Sequence, residues 1–156
     1  IHKYMVKLEK MGKLKAIVTQ NIDGLHTKAG STNVLELHGT IYKNHCIKCH
    51  KFYDAEYVFN SKDIPLCECG SIVKPDVVLY GEMLNEDVLD QSIKLISECD
   101  TLIVAGTSLT VEPASSLVKL FKGKNLIIIN RDATSYDNIA SLVINDEFKN
   151  IFKYLK

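Results

Sequence analysis

Two strongly apolar runs, Thr101 to Ala105 and Leu126 to Ile129, do most to limit what this chain can fold into. Both read as strands, and Ala16, Ile17 and Val18 form a further continuous apolar run of the kind a doubly covered parallel sheet requires. A helix-like stretch, Pro113 to Phe121, lies between the first two. Strand, helix and strand in that order predict a parallel pair joined by a right-handed crossover. Leu14 to Thr19, Val34 to Leu37, Val77 to Leu79 and Leu142 to Ile144 are further strand candidates. Tyr4, Leu8 and Met11 recur at helical spacing, with Gly12 placed as a left-handed C-terminal cap. Asn85 is placed to cap a second helix whose buried stripe is Val88, Leu89, Ile93 and Ile96. Phe148, Ile151, Phe152 and Leu155 predict a terminal amphipathic helix. The fold class is α/β.

A chain of 156 residues suffices for one core and is short for two ordinary domains. Hydrophobic residues make up 46% and charged residues 24%, which excludes disordered and membrane classes. Lysine plus arginine (19) equals aspartate plus glutamate (19), so no overall field holds a polyanion. No apolar run approaches the roughly 20 residues that span a bilayer. No nucleic-acid or membrane partner is expected, and the expected location is cytoplasmic.

Residues 43 to 73 differ from their surroundings, with little apolar periodicity and four of the five cysteines. A small metal-organised insert is expected there, dividing a larger domain of residues 1–42 and 74–156. Cys46 and Cys49 have two residues between them, Cys67 and Cys69 one, and seventeen residues separate the pairs. Two such knuckles can give four thiolates to a tetrahedral Zn²⁺, leaving no open position, so the metal would be structural. His45 and His50 compete as ligands, and a redox pair is the alternative. Cys99, before an apolar strand, reads as an inert thiol.

Ligands of parallel α/β sheets bind beyond the carboxyl ends of the strands, so the residues just after each apolar run are candidates. The first run is followed by Thr19 to His26, TQNIDGLH, where amides and a carboxylate crowd together. The alternative is a polar loop capped by Asp23. Gly106, Thr107 and Ser108 offer backbone N–H groups and hydroxyls suited to a phosphate or ribose; a plain tight turn is the alternative. Asn130 ends the next strand 24 positions later, about where dinucleotide folds meet the adenosine ribose. His38 stands at a strand end beside Gly39. It is either a general base or an ordinary hydrogen-bonded histidine.

TQNIDGLH, ELHG at 36–39, the two cysteine pairs, KPDVVLYGE at 74–82 and GTSLTVEPA at 106–114 together resemble the sirtuin family, in order and with family-like spacing. The resemblance implies a Rossmann-like domain, a zinc-bearing small domain, and NAD-dependent removal of acyl groups from protein lysine, giving nicotinamide and O-acyl-ADP-ribose. By motif match, His38 resembles the general base that activates a ribose hydroxyl, with Asn21 beside it in the catalytic set. Gln20, Asn21, Ile22 and Asp23 match residues around nicotinamide and its ribose. Gly106, Thr107, Ser108, Asn130, Arg131 and Asp132 match those near the rest of NAD. Val78, Leu79, Tyr80, Gly81, Glu82 and Val111 match the segments that pair with an acyl-lysine protein or peptide. His38 must be neutral to act, so the rate should fall in acid.

Three departures stand out. The second cysteine pair is one residue tighter than the family's, and Ser141 stands where aspartate is common. The family's glycine-rich loop and Ile-Pro-Asp-Phe-Arg-like segment precede the region present here. The chain is therefore expected to be an N-terminally shortened one that binds NAD poorly by itself. A protein ADP-ribosyltransferase and a non-catalytic zinc-organised binding module are the rival functions.

Overall fold

The computed structural model describes residues 1–151. Helix α1, His2–Lys10, ends where Gly12 takes φ +69°, the left-handed conformation its position predicts. Strand β1 is Ile17–Thr19, shorter than the apolar run suggests. The N–H of Leu14 is spent on the carbonyl of Leu8 at 3.2 Å, which holds it at the end of α1. After α2, Leu25–Ala29, strand β2, Val34–Glu36, pairs parallel with β1.

Strand β3, Gly39–Cys46, then opens an antiparallel sheet between β4, Phe52–Asp54, and β5, Val73–Val77, with α3, Ala55–Phe59, beside it. Its core is Cys46, Tyr53, Cys67 and Val73. The strand read at Val77 to Leu79 therefore lies earlier. The partner strand starts at Gly39, opposite Val77, so residues beyond Val77 leave the ladder, and Leu79 is exposed. Pro75 is tolerated because β5 is an edge strand and the register slips between Thr40 and Asn44.

Helix α4, Glu86–Glu98, is capped as predicted: Asn85 Oδ1 accepts the Val88 N–H at 3.0 Å. Its stripe of Val88, Leu89, Ile93 and Ile96 packs with Leu37, Ala114 and Leu117. Strands β6, Thr101–Ala105, β7, Asn125–Ile129, and β8, Leu142–Ile144, form a parallel sheet in that order. Between β6 and β7, Ser115–Leu120 is a 3₁₀ coil where an α-helix was expected. Phe121 is already extended, and a 3₁₀ coil covers more length per residue in so short a crossover. Leu109, Val118, Leu126, Ile128 and Tyr136 form the core here.

Full two-sided cover is not found on β6, where Ile103 is half exposed. Among the described residues no strand pairs with the outer edge of β6 or the free edge of β1, so the parallel strands stand as two ladders. Helix α5, Phe148–Ile151, closes the described residues; Phe152 and Leu155 of the predicted terminal stripe lie outside them. No helix among the described residues is long and apolar enough to cross a membrane.

Candidate functional site

The carboxyl ends of β1, β2 and β6 meet. Leu37, almost fully buried, donates its N–H to the carbonyl of Thr19 at 2.9 Å, extending the β1–β2 ladder by one step and delivering His38 beside Gln20. His38 Nδ1 lies 3.0 Å from the Gln20 carbonyl oxygen. A carbonyl only accepts, so Nδ1 carries the proton, and in the neutral ring Nε2 is left as the acceptor. Gly39 makes this corner possible. Its φ is +72°, and a Cβ built there would lie 1.8 Å from the Asp76 carbonyl oxygen. Gln20 also reaches the other ladder, its Oε1 accepting from the Thr107 hydroxyl at 3.1 Å. Thr107 Oγ1 in turn accepts the N–H of Leu109, a buried residue held at φ +54°.

The neighbouring residues divide. Asn21 is exposed and its side-chain amide has no hydrogen bond among the described residues, which leaves it free for a ligand. Asp23 accepts the Leu25 N–H at 3.0 Å across a local turn, while the N-cap of α2 is Gly24 and carries no side-chain cap. The Ile22 carbonyl accepts from Ile41. Ser108 pairs with the Thr110 hydroxyl at 2.8 Å.

A cleft of about 280 Å³ opens at the ends of β6, β7 and β8. It is lined by Gly106, Asn130, Arg131 and Asp132, all four read from the sequence, and also by Asp146, Glu147 and Phe148. None of these three is a site candidate from the sequence, where Phe148 belongs to the predicted terminal helix, although the strand-end rule applied after β8 marks them. Asn130 Nδ2 donates to the Asp132 carbonyl at 2.8 Å, fixing the turn around the cleft. Val78 to Glu82 and Val111 do not line it.

In the small sheet the sulfurs of Cys46, Cys49, Cys67 and Cys69 all lie within 4.8 Å of one another. Cys46 to Cys69 and Cys49 to Cys67 are each 3.5 Å. Zinc at roughly 2.3 Å from each of four sulfurs would set them about 3.8 Å apart, so the cluster fits a tetrahedral ion. The tight second pair is accommodated by a turn in which Gly70, at φ +81°, donates to the Cys67 carbonyl at 2.8 Å. The N–H of Cys49, then of Lys48, holds the Cys46 thiol down at about 6. Against the pull of the Lys51 N–H, the sulfurs of Cys46 and Cys67 push Cys49 up to about 12. Such a set ionises fully only around a cation. His45 is engaged elsewhere, with Nδ1 2.8 Å from Asp76 Oδ1, and among the described residues neither it nor His50 joins the metal-holding group. All five cysteines are free thiols; Cys99 bonds the Ile96 carbonyl, and burial raises its pKa.

Fold and site define an α/β protein with a polar crevice at its strand ends and a cysteine-clustered small sheet. The description "Sir2 family" matches residues 1–113, and the chain belongs to that family. It is 57% identical over 154 residues to an NAD-dependent protein deacetylase of Clostridium acetobutylicum, covering 97% of this chain and 63% of the relative. A protein of the same name from Clostridium perfringens is 57% identical over 147 residues, covering 93% and 60%. The chain thus spans about three fifths of the length of these relatives. A solved Sir2 structure with a p53 peptide and NAD⁺ superposes with a TM-score of 0.90 at 38% identity, covering 98% of this chain and 68% of that one. Another, Sir2 bound to acetylated peptide, gives 0.89 at 37% identity, covering 98% and 68%.

Proposed function

We propose that the protein carrying this chain is an NAD-dependent protein-lysine deacylase. The observation that carries this is the His38 Nδ1 contact to the Gln20 carbonyl, which leaves Nε2 as a free acceptor at the strand-end crevice. Bound NAD would supply the ribose carbon from which the acyl oxygen of the substrate lysine displaces nicotinamide, which leaves free. His38 Nε2 takes a proton from a hydroxyl brought against it, and the Gln20 carbonyl stabilises the imidazolium that results. Asn21 presents an uncommitted amide to the same region, and Gln20, tied to Thr107, keeps the two ladders in register. Preorganised polar groups of this kind stabilise developing charge without a covalent nucleophile.

Gly106, Asn130, Arg131 and Asp132 would hold the adenosine end of the cofactor in the cleft. Cys46, Cys49, Cys67 and Cys69 would hold Zn²⁺ as a structural ion. Val78 to Glu82 and Val111 would pair with the backbone of the acyl-lysine peptide, which gives affinity with little sequence preference. Four cysteines gathered as one metal-holding cluster suit a reducing, cytoplasmic compartment.

The test is nicotinamide release by the native-length protein given NAD and a series of acyl-lysine peptides. Release coupled to peptide deacylation is expected, and His38→Ala should abolish it with the far-UV spectrum unchanged. Undiminished turnover in that variant would overturn the base assignment. Transfer of ADP-ribose to protein without deacylation would point to the rival transferase.

A further inference from the structure

Beyond Val77 the chain leaves its ladder, yet it does not float free. The N–H of Val78 donates to the His38 carbonyl at 3.0 Å, so this segment hangs from the residue read as the base. The chain then reverses, with the Glu82 N–H donating to the Leu79 carbonyl at 3.0 Å. Gly81, at φ +87°, holds the third position of this turn, the place where a type II turn requires positive φ. Leu79, Tyr80 and Met83 are exposed, Tyr80 entirely so, and thus no core fixes the turn.

A carboxylate fixes it instead. Glu82 Oε2 accepts the Leu79 N–H at 2.9 Å and the Lys74 ammonium at 2.9 Å. Lys74 Nζ also donates to the Val77 carbonyl at 3.0 Å. One oxygen therefore ties the turn to β5. The Leu79 N–H, and next Lys74, hold the Glu82 carboxyl below its ordinary range. The N–H groups of Tyr80 and Gly81 have no partner among the described residues, so the clasp organises the turn without using its central donors.

We propose that Glu82 is a positioning residue for the acyl-lysine peptide: clasped by Lys74, it holds residues 78–82 in the shape that pairs with peptide backbone. The proposal rests on the peptide pairing proposed above and adds what orders the pairing segment. It also changes the role of Glu82 from a peptide contact to a brace. A segment ordered before the peptide arrives spares the complex an ordering cost, so losing the brace should weaken the peptide and spare the chemical step.

The experiment uses the native-length protein with Glu82→Gln, Lys74→Met and the double variant. Each single change should raise the peptide KM about tenfold while kcat and the KM for NAD stay unchanged, as expected when ordering is moved into the binding step. The double variant should be no worse than either single one. Added salt should raise the peptide KM of the wild type and leave that of Lys74→Met unmoved, because the pair is exposed and screened. That readout needs no variant at Glu82 to fold. Hydrogen exchange without substrate should quicken at the Leu79 and Glu82 amides in Lys74→Met. Unchanged exchange overturns the clasp. Faster exchange with an unchanged peptide KM overturns its part in substrate positioning. A fall in kcat alone places Glu82 in the chemistry and also overturns the proposal. Wild-type protein that consumes no acyl-lysine peptide overturns the function proposed above and, with it, the substrate assigned to this segment.

Discussion

Gly39→Ala should be among the most damaging single-methyl additions in this chain. Two costs combine. The backbone at φ +72° is left-handed, which costs a non-glycine residue roughly 1 kcal/mol or more. The new Cβ would also stand 1.8 Å from the Asp76 carbonyl oxygen and 2.9 Å from its carbon, both of which are backbone atoms. β5 must retreat by more than an ångström. That disrupts the pairing of Gly39 with Val77 and of Thr40 with Asp76, and the bond from Val78 N–H to His38. With two or three hydrogen bonds lost at about 1 kcal/mol each, the sum is roughly 3 to 4 kcal/mol. The fall in Tm should be about 10 °C, at a few degrees per kcal/mol for a domain of this size. Gly12→Ala is the control. Its φ is +69° but nothing lies within 4 Å of its Cβ, so it should lose only about 1 kcal/mol. Thermal and urea unfolding of both variants in zinc-containing buffer measures the difference. Equal losses would refute the close approach of β3 and β5 and leave only backbone strain at both sites.

Chelation, or Cys46→Ser, should loosen the small sheet, since structural zinc sites carry roughly 10 kcal/mol or more of apparent binding energy; an unchanged melting curve would count against a bound metal. Asn85→Ala should cost about 1 kcal/mol, because α4 would lose the acceptor for its Val88 N–H; urea unfolding reads this directly. Glu9 accepts from the hydroxyl and then the N–H of Thr32, which lowers its pKa below 4.5. The tie it provides is present above pH 4.5 and lost as pH falls through the lower folded value. Glu9→Gln should therefore flatten the acid limb of the stability curve, and a limb of unchanged slope would argue against this tie.

Much of the protein was legible because its signals are local. The apolar runs at 101–105 and 142–144 coincide with β6 and β8, and Asn85 caps the helix its position predicts. The four cysteines converge because each knuckle is a short turn whose geometry the nearby residues dictate. His38, Gln20 and Thr107 were each marked by a place just after an apolar run.

What stayed hidden depends on neighbours distant in the chain. The strand read at Val77 to Leu79 failed because β5 can pair only as far as β3 extends, and β3 starts at Gly39. Asp146, Glu147 and Phe148 follow an apolar run and so fall under the strand-end rule, but only the pairing of β8 beside β7 brings them to the same cleft as Gly106 and Asn130. The amino-acid order fixed which residues were polar at strand ends; only the packed chain decided which proton His38 holds, by setting the Gln20 carbonyl 3.0 Å from its Nδ1. Propensity and capping act over a few residues, whereas the direction of a hydrogen bond between strand ends 18 positions apart exists only once β1 and β2 are paired.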